Sequence, residues 1–221
     1  MSLRLPIARA AAAGRPSSDP ECAGCGLLSL LRGLRRAGVA VHGAIGCDGG
    51  GAGSGAGPAF GRWAAVTGLD DLAARGAEAV AGDPLRAGAA LVVVADRLPA
   101  ARSLGPEEEL PGSARRLVRL DLSDPPGVEA RVREALDRPG TVLLALAPCA
   151  REAPRGAPLR VEESLCNRCG ACVGLGCPAL SDPGEEGMRI DPETCNGCSL
   201  CATLCRSRAI GPGAPRPGGP A

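Results

Sequence analysis

The sequence predicts an α/β protein, in which a parallel sheet domain is followed by a small α+β module rich in cysteine. Two observations predict the sheet. Helical patterns alternate along the first two thirds of the chain with short runs such as TVLLALA at 141–147, and these runs are apolar throughout. Strands that are apolar on both faces are typical of parallel sheets covered by helices on each side. The module is predicted because most of the 12 cysteines follow residue 160.

The helices and strands are predicted in alternation along the chain. A first helix is expected over 26–38, because leucines recur at helical spacing and Gly38 is suited to end it. An apolar strand at Val39–Ile45 follows, and a second helical pattern covers Leu69–Val80. The later elements are a strand at Ala90–Ala95, a strand at Leu117–Leu122, a helix at Gly127–Leu136 and a strand at Thr141–Ala147.

Composition and charge exclude several classes of function. The 25 basic and 24 acidic residues are interspersed and the net charge is +1, so no basic stripe predicts nucleic-acid binding. No run approaches the roughly 18 apolar residues of a membrane span, and arginines interrupt the N-terminal apolar residues, so no secretory signal is expected. Abundant cysteine without export indicates metal binding in a reducing cytoplasm rather than disulfides.

Composition also divides the chain into segments. A flexible lead is expected at 1–20, the sheet domain at 21–150 and a Pro- and Arg-rich linker at 151–159. The cysteine-rich module follows at 160–211, and the Gly/Pro-rich stretch 212–221 is expected to be a disordered tail.

Two cysteine runs follow one another in the module. They read Cys166-x2-Cys169-x2-Cys172-x4-Cys177-Pro178 and Cys195-x2-Cys198-x2-Cys201-x3-Cys205. Three thiolates at x2 spacing on one tight loop suit one face of a [4Fe-4S] cubane, and in two-cluster ferredoxins the fourth ligand comes from the opposite run. The sequence therefore predicts two clusters, one bound by Cys166, Cys169, Cys172 and Cys205, the other by Cys195, Cys198, Cys201 and Cys177.

Structural zinc sites are the alternative for these two runs. Zinc favours two separated cysteine pairs, and a third cysteine at x2 spacing has no role in a tetrahedral site, so clusters are preferred. The runs depart from the usual ferredoxin pattern at two places. Arg206 rather than proline follows Cys205, and one extra residue separates Cys172 from Cys177. We expect an altered potential or stability at the cluster near Cys205.

Four cysteines remain, the number that one further cubane requires. Cys22 and Cys25 precede the first helix, Cys47 ends the following strand and Cys149 ends the last strand. In an open parallel sheet, these strand ends and the loop that opens the helix can meet at one edge. A third [4Fe-4S] cluster is predicted there. A structural zinc site, a CxxC redox pair and unliganded buried thiols stay open as alternatives.

The segment CAGCGLLSLLRGLRRAGVAVHGAIGC resembles the opening of the thiamine-diphosphate domain of 2-oxoacid:ferredoxin oxidoreductases, where CPGCG precedes a helix and a strand ending in an IGC-type triplet. Over residues 21–211 the chain is most similar to the alpha subunits of indolepyruvate ferredoxin oxidoreductases, in which a two-cluster module also follows a "PC" such as Pro148-Cys149. The resemblance implies a reduced thiamine-diphosphate-enzyme-like sheet domain and a bacterial-type 2[4Fe-4S] ferredoxin domain.

The thiamine site that the resemblance implies lacks its metal ligands. Gly68 falls on the first glycine of the family's GDG-type motif, but Leu69 replaces the Mg²⁺-binding aspartate and Arg97 replaces the asparagine ligand. Mg²⁺ needs oxygen ligands, which neither side chain supplies. A one-residue slip onto Asp70 or Asp71 would still leave Arg97 beside the metal. We therefore expect a retained fold without thiamine diphosphate, Mg²⁺ or catalysis.

These observations predict an iron–sulfur electron-transfer protein, a non-catalytic relative or subunit of a 2-oxoacid:ferredoxin oxidoreductase. Its expected partner is a redox protein, either a ferredoxin or an oxidoreductase subunit in a hetero-oligomer, and neither nucleic acid nor a membrane is expected. The alternatives are an active thiamine-dependent subunit that decarboxylates indolepyruvate or another 2-oxoacid, and a cluster-based sensor or assembly scaffold.

Overall fold

The central element of the computed structural model is a five-stranded sheet with the strand order β1-β2-β3-β5-β4. All four strand pairings are parallel. The prediction of an α/β protein with a parallel sheet is therefore confirmed. The strands are β1 (Ala40–Gly43), β2 (Trp63–Thr67), β3 (Leu91–Leu98), β4 (Arg116–Arg119) and β5 (Thr141–Pro148).

The structure describes residues 22–43, 62–67, 84, 89–98, 116–138, 140–150, 155–182, 184 and 187–213. Several predictions fall outside these ranges, namely the lead at 1–20, the helix at Leu69–Val80, Cys47, Gly68, Leu69 and Asp70. Within the described ranges, no helix is both long and apolar enough to span a bilayer.

The two central strands are buried on both faces. Val92 and Val93 in β3, and Val142 and Leu143 in β5, are all inaccessible to solvent. Since consecutive strand residues point to opposite faces, both faces of the sheet are covered at this position. β3 also runs beyond the predicted Ala95, because the backbones of Asp96 and Arg97 continue the ladder with β5 despite their charge.

β2 is a strand that the sequence analysis does not predict. Trp63, Ala64 and Val66 are buried in it, so the strand is part of the core. Its two alanines weaken the local preference for β structure, and its position is fixed by parallel pairing with β1 and β3. β4 is predicted but ends earlier than expected, because Asp121 accepts hydrogen bonds from the Ser123 N–H and hydroxyl and turns the chain.

Two helices pack against each other beside the sheet. Helix α1 (Leu27–Arg36) and helix α2 (Pro125–Leu136) match the predicted helices, and proline at the first position of α2 is compatible with a helix start. The helices approach closely where α1 carries Gly33, since a methyl group there would lie 3.2 Å from Cγ1 of Val128. The leucines of α1 form its buried face: Leu27, Leu28, Leu30, Leu31 and Leu34.

A buried carboxylate joins the two helices. Glu129 of α2 accepts from Arg32 at 2.9 Å and Arg36 at 2.8 Å in α1, and it pairs with Arg133 at 2.7 Å within α2. Burial alone raises the pKa of Glu129, but the charges of Arg36, Arg133 and Arg32 outweigh burial and lower its pKa. The carboxylate is therefore ionised at neutral pH, and its ion pairs hold α1 in register on α2.

The C-terminal module is built from short elements. Strand β6 (Leu159–Val161) pairs antiparallel with β9 (Ile210–Pro212), and β7 (Leu180–Ser181) pairs antiparallel with β8 (Arg189–Ile190). A 3₁₀ turn at Val173–Leu175 lies within the first cysteine run, and helix α3 (Leu200–Thr203) lies within the second. Pairing of the first and last strands brings the two ends of the module together.

The module shares one hydrophobic core with the sheet domain. Helix α1 contacts the 3₁₀ turn of the module, and α2 contacts α3. Leu27 and Leu31 of α1 belong to the same buried cluster as Leu175 and Leu200 of the module. The cysteine runs are thus packed onto the helical layer of the sheet domain.

Candidate metal centres

The two cysteine runs form the same backbone turn. In the first, Asn167 Oδ1 accepts from the Cys169 N–H at 3.3 Å, and in the second, Asn196 Oδ1 accepts from the Cys198 N–H at 3.2 Å. The residues that follow have positive φ at matching places, with Arg168 and Gly170 in one run and Gly197 and Ser199 in the other. Alternating backbone conformations of this kind turn successive N–H groups toward one concavity that suits a negatively charged group.

Cys177 of the first run lies with the cysteines of the second run. Burial, together with the like charges of Cys198, Cys177 and Cys195, raises the pKa of Cys201 to about 12. Burial also raises the pKa of Cys198, again with Cys177 and Cys195 as its charged neighbours. Cys198 is exposed as a whole residue, but burial is the main cause of the raised pKa of its thiol. Its sulfur is therefore directed inward. We call Cys177, Cys195, Cys198 and Cys201 the inner site.

The other four module cysteines line one cavity of about 320 Å³. The cavity is partly open, and Val161, Met188 and Ile210 form an apolar part of its wall. Burial raises the pKa of Cys172, with Cys169 and Cys166 as charged neighbours. We call the set that lines this cavity the outer site: Cys166, Cys169, Cys172 and Cys205.

Hydrogen bonds reach sulfurs at both sites. At the outer site, the Ala209 N–H donates to Cys205 Sγ at 3.2 Å, and Ser207 Oγ lies 3.6 Å from the same sulfur. Burial raises the pKa of Cys205, but these hydrogen bonds outweigh burial and lower it. At the inner site, the N–H groups of Leu159 and Gly197 each donate to Cys195 Sγ at 3.4 Å. Such bonds favour a thiolate over a thiol.

Each donor set suits a [4Fe-4S] cluster. Both sites offer four thiols, and a cubane takes four thiolates, one on each iron. Because burial keeps the Cys201 thiol protonated, binding of iron must release its proton.

The N-terminal Cys-x2-Cys loop lies between the sheet and the inner site. A methyl group on Gly24 would overlap the side-chain amide of Asn196, and one on Gly26 would lie 3.1 Å from Cβ of Ala147 near the end of β5. Cys25 and Cys149 are both buried. The structure therefore brings the Cys22–Cys25 loop to the strand end that carries Cys149. Cys47, the fourth predicted ligand, lies outside the described residues.

Of the residues assigned to the thiamine site, only Arg97 is described. It lies in β3, with its backbone paired to Ala147 of β5. β2 ends at Thr67, directly before Gly68. Gly68, Leu69 and Asp70 lie outside the described residues, so the prediction that this site is degenerate stays a prediction.

Three residues that matter here are not singled out by the sequence analysis. Asn167 and Asn196 follow the first cysteine of their runs, and this repeat is a signal that could have identified them. Ser207 gives no such signal, because its contact with Cys205 depends on the turn before β9.

The fold and the cysteine runs define a class of protein in which an α/β domain carries an iron–sulfur module. Comparison with protein families supports this class, since residues 188–211 match the family model described as a 4Fe-4S binding domain. This segment includes the second run from Cys195 to Cys205. The chain therefore contains a ferredoxin-like 4Fe-4S region with a role in electron transfer. Comparison with curated proteins and with solved structures finds no match.

Proposed function

We propose that this chain transfers single electrons through two [4Fe-4S] clusters, one at the inner site and one at the outer site. The single observation that carries the proposal is the position of Cys177, a charged neighbour of Cys198 and Cys201 across the two runs. Cross-ligation of this kind is characteristic of two-cluster ferredoxins. The shared lining of one cavity by Cys205 and the first three cysteines supports the second half of the assignment.

A bound [4Fe-4S] cluster supplies a one-electron couple, and the chain holds and tunes it. The thiolates fix each cluster, and the N–H groups aimed at Cys195 and Cys205 stabilise the negative charge that a reduced cluster gains. Apolar residues around both sites limit the access of water. The chain thereby keeps the two clusters at fixed positions within one rigid module.

We further propose that Cys22, Cys25, Cys47 and Cys149 bind a third [4Fe-4S] cluster. The burial of Cys25 and Cys149 and the contact of their loop with Asn196 support this assignment. A cluster at this position would adjoin the inner site, so electrons could pass from the sheet domain into the module. Zinc at these four residues is the competing result.

The sheet domain at 21–150 is, in this proposal, a thiamine-enzyme-like fold that has lost its cofactor and serves the module at 160–211. Parallel pairing of β2 and β3 supports it, because their ends at Thr67 and Leu98 share the edge where Gly68 and Arg97 are assigned. Arginine and leucine at the ligand positions do not fit Mg²⁺. The chain is then a non-catalytic relative of indolepyruvate ferredoxin oxidoreductases, working with a redox partner in a reducing cytoplasm.

Counting iron and acid-labile sulfide tests the number of clusters. We expect about twelve iron atoms per chain after anaerobic purification, and about four fewer in Cys149→Ser and in Cys177→Ser. The reduced sample should give electron paramagnetic resonance signals of interacting [4Fe-4S]⁺ clusters. About eight iron atoms, unchanged in Cys149→Ser, would contradict the third cluster alone. A colourless protein with zinc and no sulfide would contradict the whole proposal.

Reduction of viologen by indolepyruvate or pyruvate tests the loss of catalysis. With coenzyme A, Mg²⁺ and thiamine diphosphate added, we expect no turnover and no Mg²⁺-dependent binding of the cofactor in a calorimetric titration. Turnover that is abolished by substitution of Leu69 or Arg97 would show instead that the chain is an active oxidoreductase subunit.

A further inference from the structure

Three exposed arginines alternate in sequence with residues that line the outer site. Each lies between two residues that line the cavity: Arg168 between Asn167 and Cys169, Arg206 between Cys205 and Ser207, and Arg208 between Ser207 and Ala209. All three are exposed. We call Arg168, Arg206 and Arg208 the arginine rim.

The arginines of the rim form no ion pair with the carboxylates that the structure describes. Some exposed arginines do form ion pairs, as Arg160 does with Glu162 at 3.5 Å and Arg131 with Glu134 at 2.9 Å. Within the part of the chain that the structure describes, no ion pair involves Arg168, Arg206 or Arg208. Their positive charge is therefore available to a partner.

Backbone geometry shows that the rim is not explained by loop formation. Arg168 has φ 54° and Arg208 has φ 55°, a left-handed conformation that glycine or asparagine adopts at lower cost. The equivalent of Arg168 in the second run is Gly197, with φ 77°. The same turn thus forms without arginine.

The loop of the second run carries no positive charge. Two acidic residues precede the first cysteine of each run, Glu162 and Glu163 in the first and Asp191 and Glu193 in the second, but no basic residue occurs between Asp191 and Leu204. An exposed apolar side chain also lies next to the first run. Leu165, with 53% exposure, is the one exposed large hydrophobic residue among those described. The arginine rim, the apolar Leu165 and the exposed ligand Cys169 lie in neighbouring parts of the sequence. Positive charge combined with an exposed apolar residue is typical of a transient protein interface.

We propose that the arginine rim is a docking surface for a small acidic one-electron carrier protein, which exchanges electrons with the outer cluster. This inference rests on the proposed function, because it assumes a cluster at the outer site. A nucleic acid or a nucleotide would also be attracted by the rim, but neither accepts an electron at Cys169. Three unpaired positive charges accelerate the approach of a negative partner, and salt screens this effect.

Stopped-flow electron transfer tests the docking surface. The anaerobic full-length protein, reduced photochemically, is mixed with an oxidised acidic [2Fe-2S] ferredoxin; one electron leaves the outer cluster and reduces the ferredoxin. We expect a rate constant that falls as salt rises, and a loss of about tenfold at low salt in Arg206→Glu. The neutral triple variant Arg168→Asn, Arg206→Gln and Arg208→Asn should lose a similar factor, and asparagine tolerates the positive φ.

Arg155→Glu is the matched control. Arg155 is exposed in the linker before the module, and it adjoins Gly156, whose N–H donates to the Asn196 carbonyl in the second run. This variant changes the net charge as Arg206→Glu does and should stay within twofold of the native rate. Equal losses in both variants, or a rate independent of salt, would overturn the docking surface.

Reduction of methyl viologen separates the two proposals. This small cation needs no arginine rim, so both variants should reduce it at least as fast as the native protein does. A native protein that reduces neither viologen nor ferredoxin would contradict electron transfer itself. Normal viologen rates with no effect of Arg206→Glu on the ferredoxin rate would contradict only the docking surface.

Discussion

The inner and outer sites are two copies of one loop in two different surroundings. Both loops use an asparagine turn and positive φ at matching positions. The inner loop is covered by the Cys22–Cys25 loop and by the helical layer, whereas the outer loop faces a partly open cavity. The local sequence therefore determines the shape of the ligand loop. The rest of the chain determines the solvent accessibility and the local charge of each site.

The pKa values of two thiols, one from each site, are shifted in opposite directions. Burial raises the pKa of Cys201 at the inner site to about 12, while hydrogen bonds lower the pKa of Cys205 at the outer site. The hydrophobic core includes two ligands of the inner site, Cys195 and Cys201, and one of the outer site, Cys172, whose pKa burial also raises. Three measurements can sharpen or break this contrast.

The largest effect is expected from removal of one ligand at each site. Cys201→Ala should lower the free energy of unfolding by about 4 kcal/mol or more, because it removes a cluster whose binding stabilises the shared core. Cys169→Ala, at an exposed ligand, should cost less than half as much. Thermal unfolding of both anaerobic variants, followed by circular dichroism, measures the difference. Equal losses would show that both clusters stabilise the fold to the same degree.

A smaller effect is expected at the contact between the N-terminal loop and the inner site. Gly24→Ala places a methyl group on the Asn196 amide and also strains a backbone with φ 79°, so we expect a loss of about 2–3 kcal/mol.

Gly38→Ala separates these two causes. Gly38 has φ 69° with no atom within 4 Å of an added methyl group, so only strain of about 1 kcal/mol should remain. Urea unfolding compares the variants. If both lose the same amount, the contact with Asn196 does not support the inner site.

The smallest effect is expected at Ser207. A thiolate bound to iron can only accept a hydrogen bond, so the hydroxyl beside Cys205 stabilises the reduced outer cluster. Ser207→Ala should lower the potential of one cluster by about 20–40 mV, since a hydrogen bond contributes about 1 kcal/mol. A redox titration followed by electron paramagnetic resonance measures this shift.

Two further variants control the Ser207 experiment. Ser207→Thr keeps the hydroxyl and should keep the potential. In Ser164→Ala the lost hydroxyl bonds Glu162 rather than a sulfur, so no shift is expected. A shift in Ser164→Ala as large as that in Ser207→Ala would contradict a direct hydrogen bond.

Much of the fold could be predicted because its signals are local. The leucine spacing of α1 and the apolar run of β5 each lie within about ten residues, and both elements are present. β2 was missed because Trp63–Thr67 becomes a strand through pairing with distant partners. The prediction of iron–sulfur binding is confirmed over 188–211.

Contacts across the chain could not be predicted in the same way. Gly24 and Asn196 are far apart in sequence, and nothing in either local pattern indicates that they meet. The outer site likewise depends on folding, since Cys205 meets the loop of the first run only in the folded chain. The spacing of the ligands can be read from the local sequence, whereas the burial and the charge of a site depend on how the whole chain packs.

The hydrophobic core shared by α1 and the module affects how long the protein survives in a cell when iron is scarce. A chain made during iron starvation would lack the clusters, and the helices that pack on the module would lose their support. We expect such chains to be recognised by proteases as a whole and degraded rather than stored as an empty scaffold. The abundance of the protein would then follow the supply of iron and sulfide without a dedicated regulator.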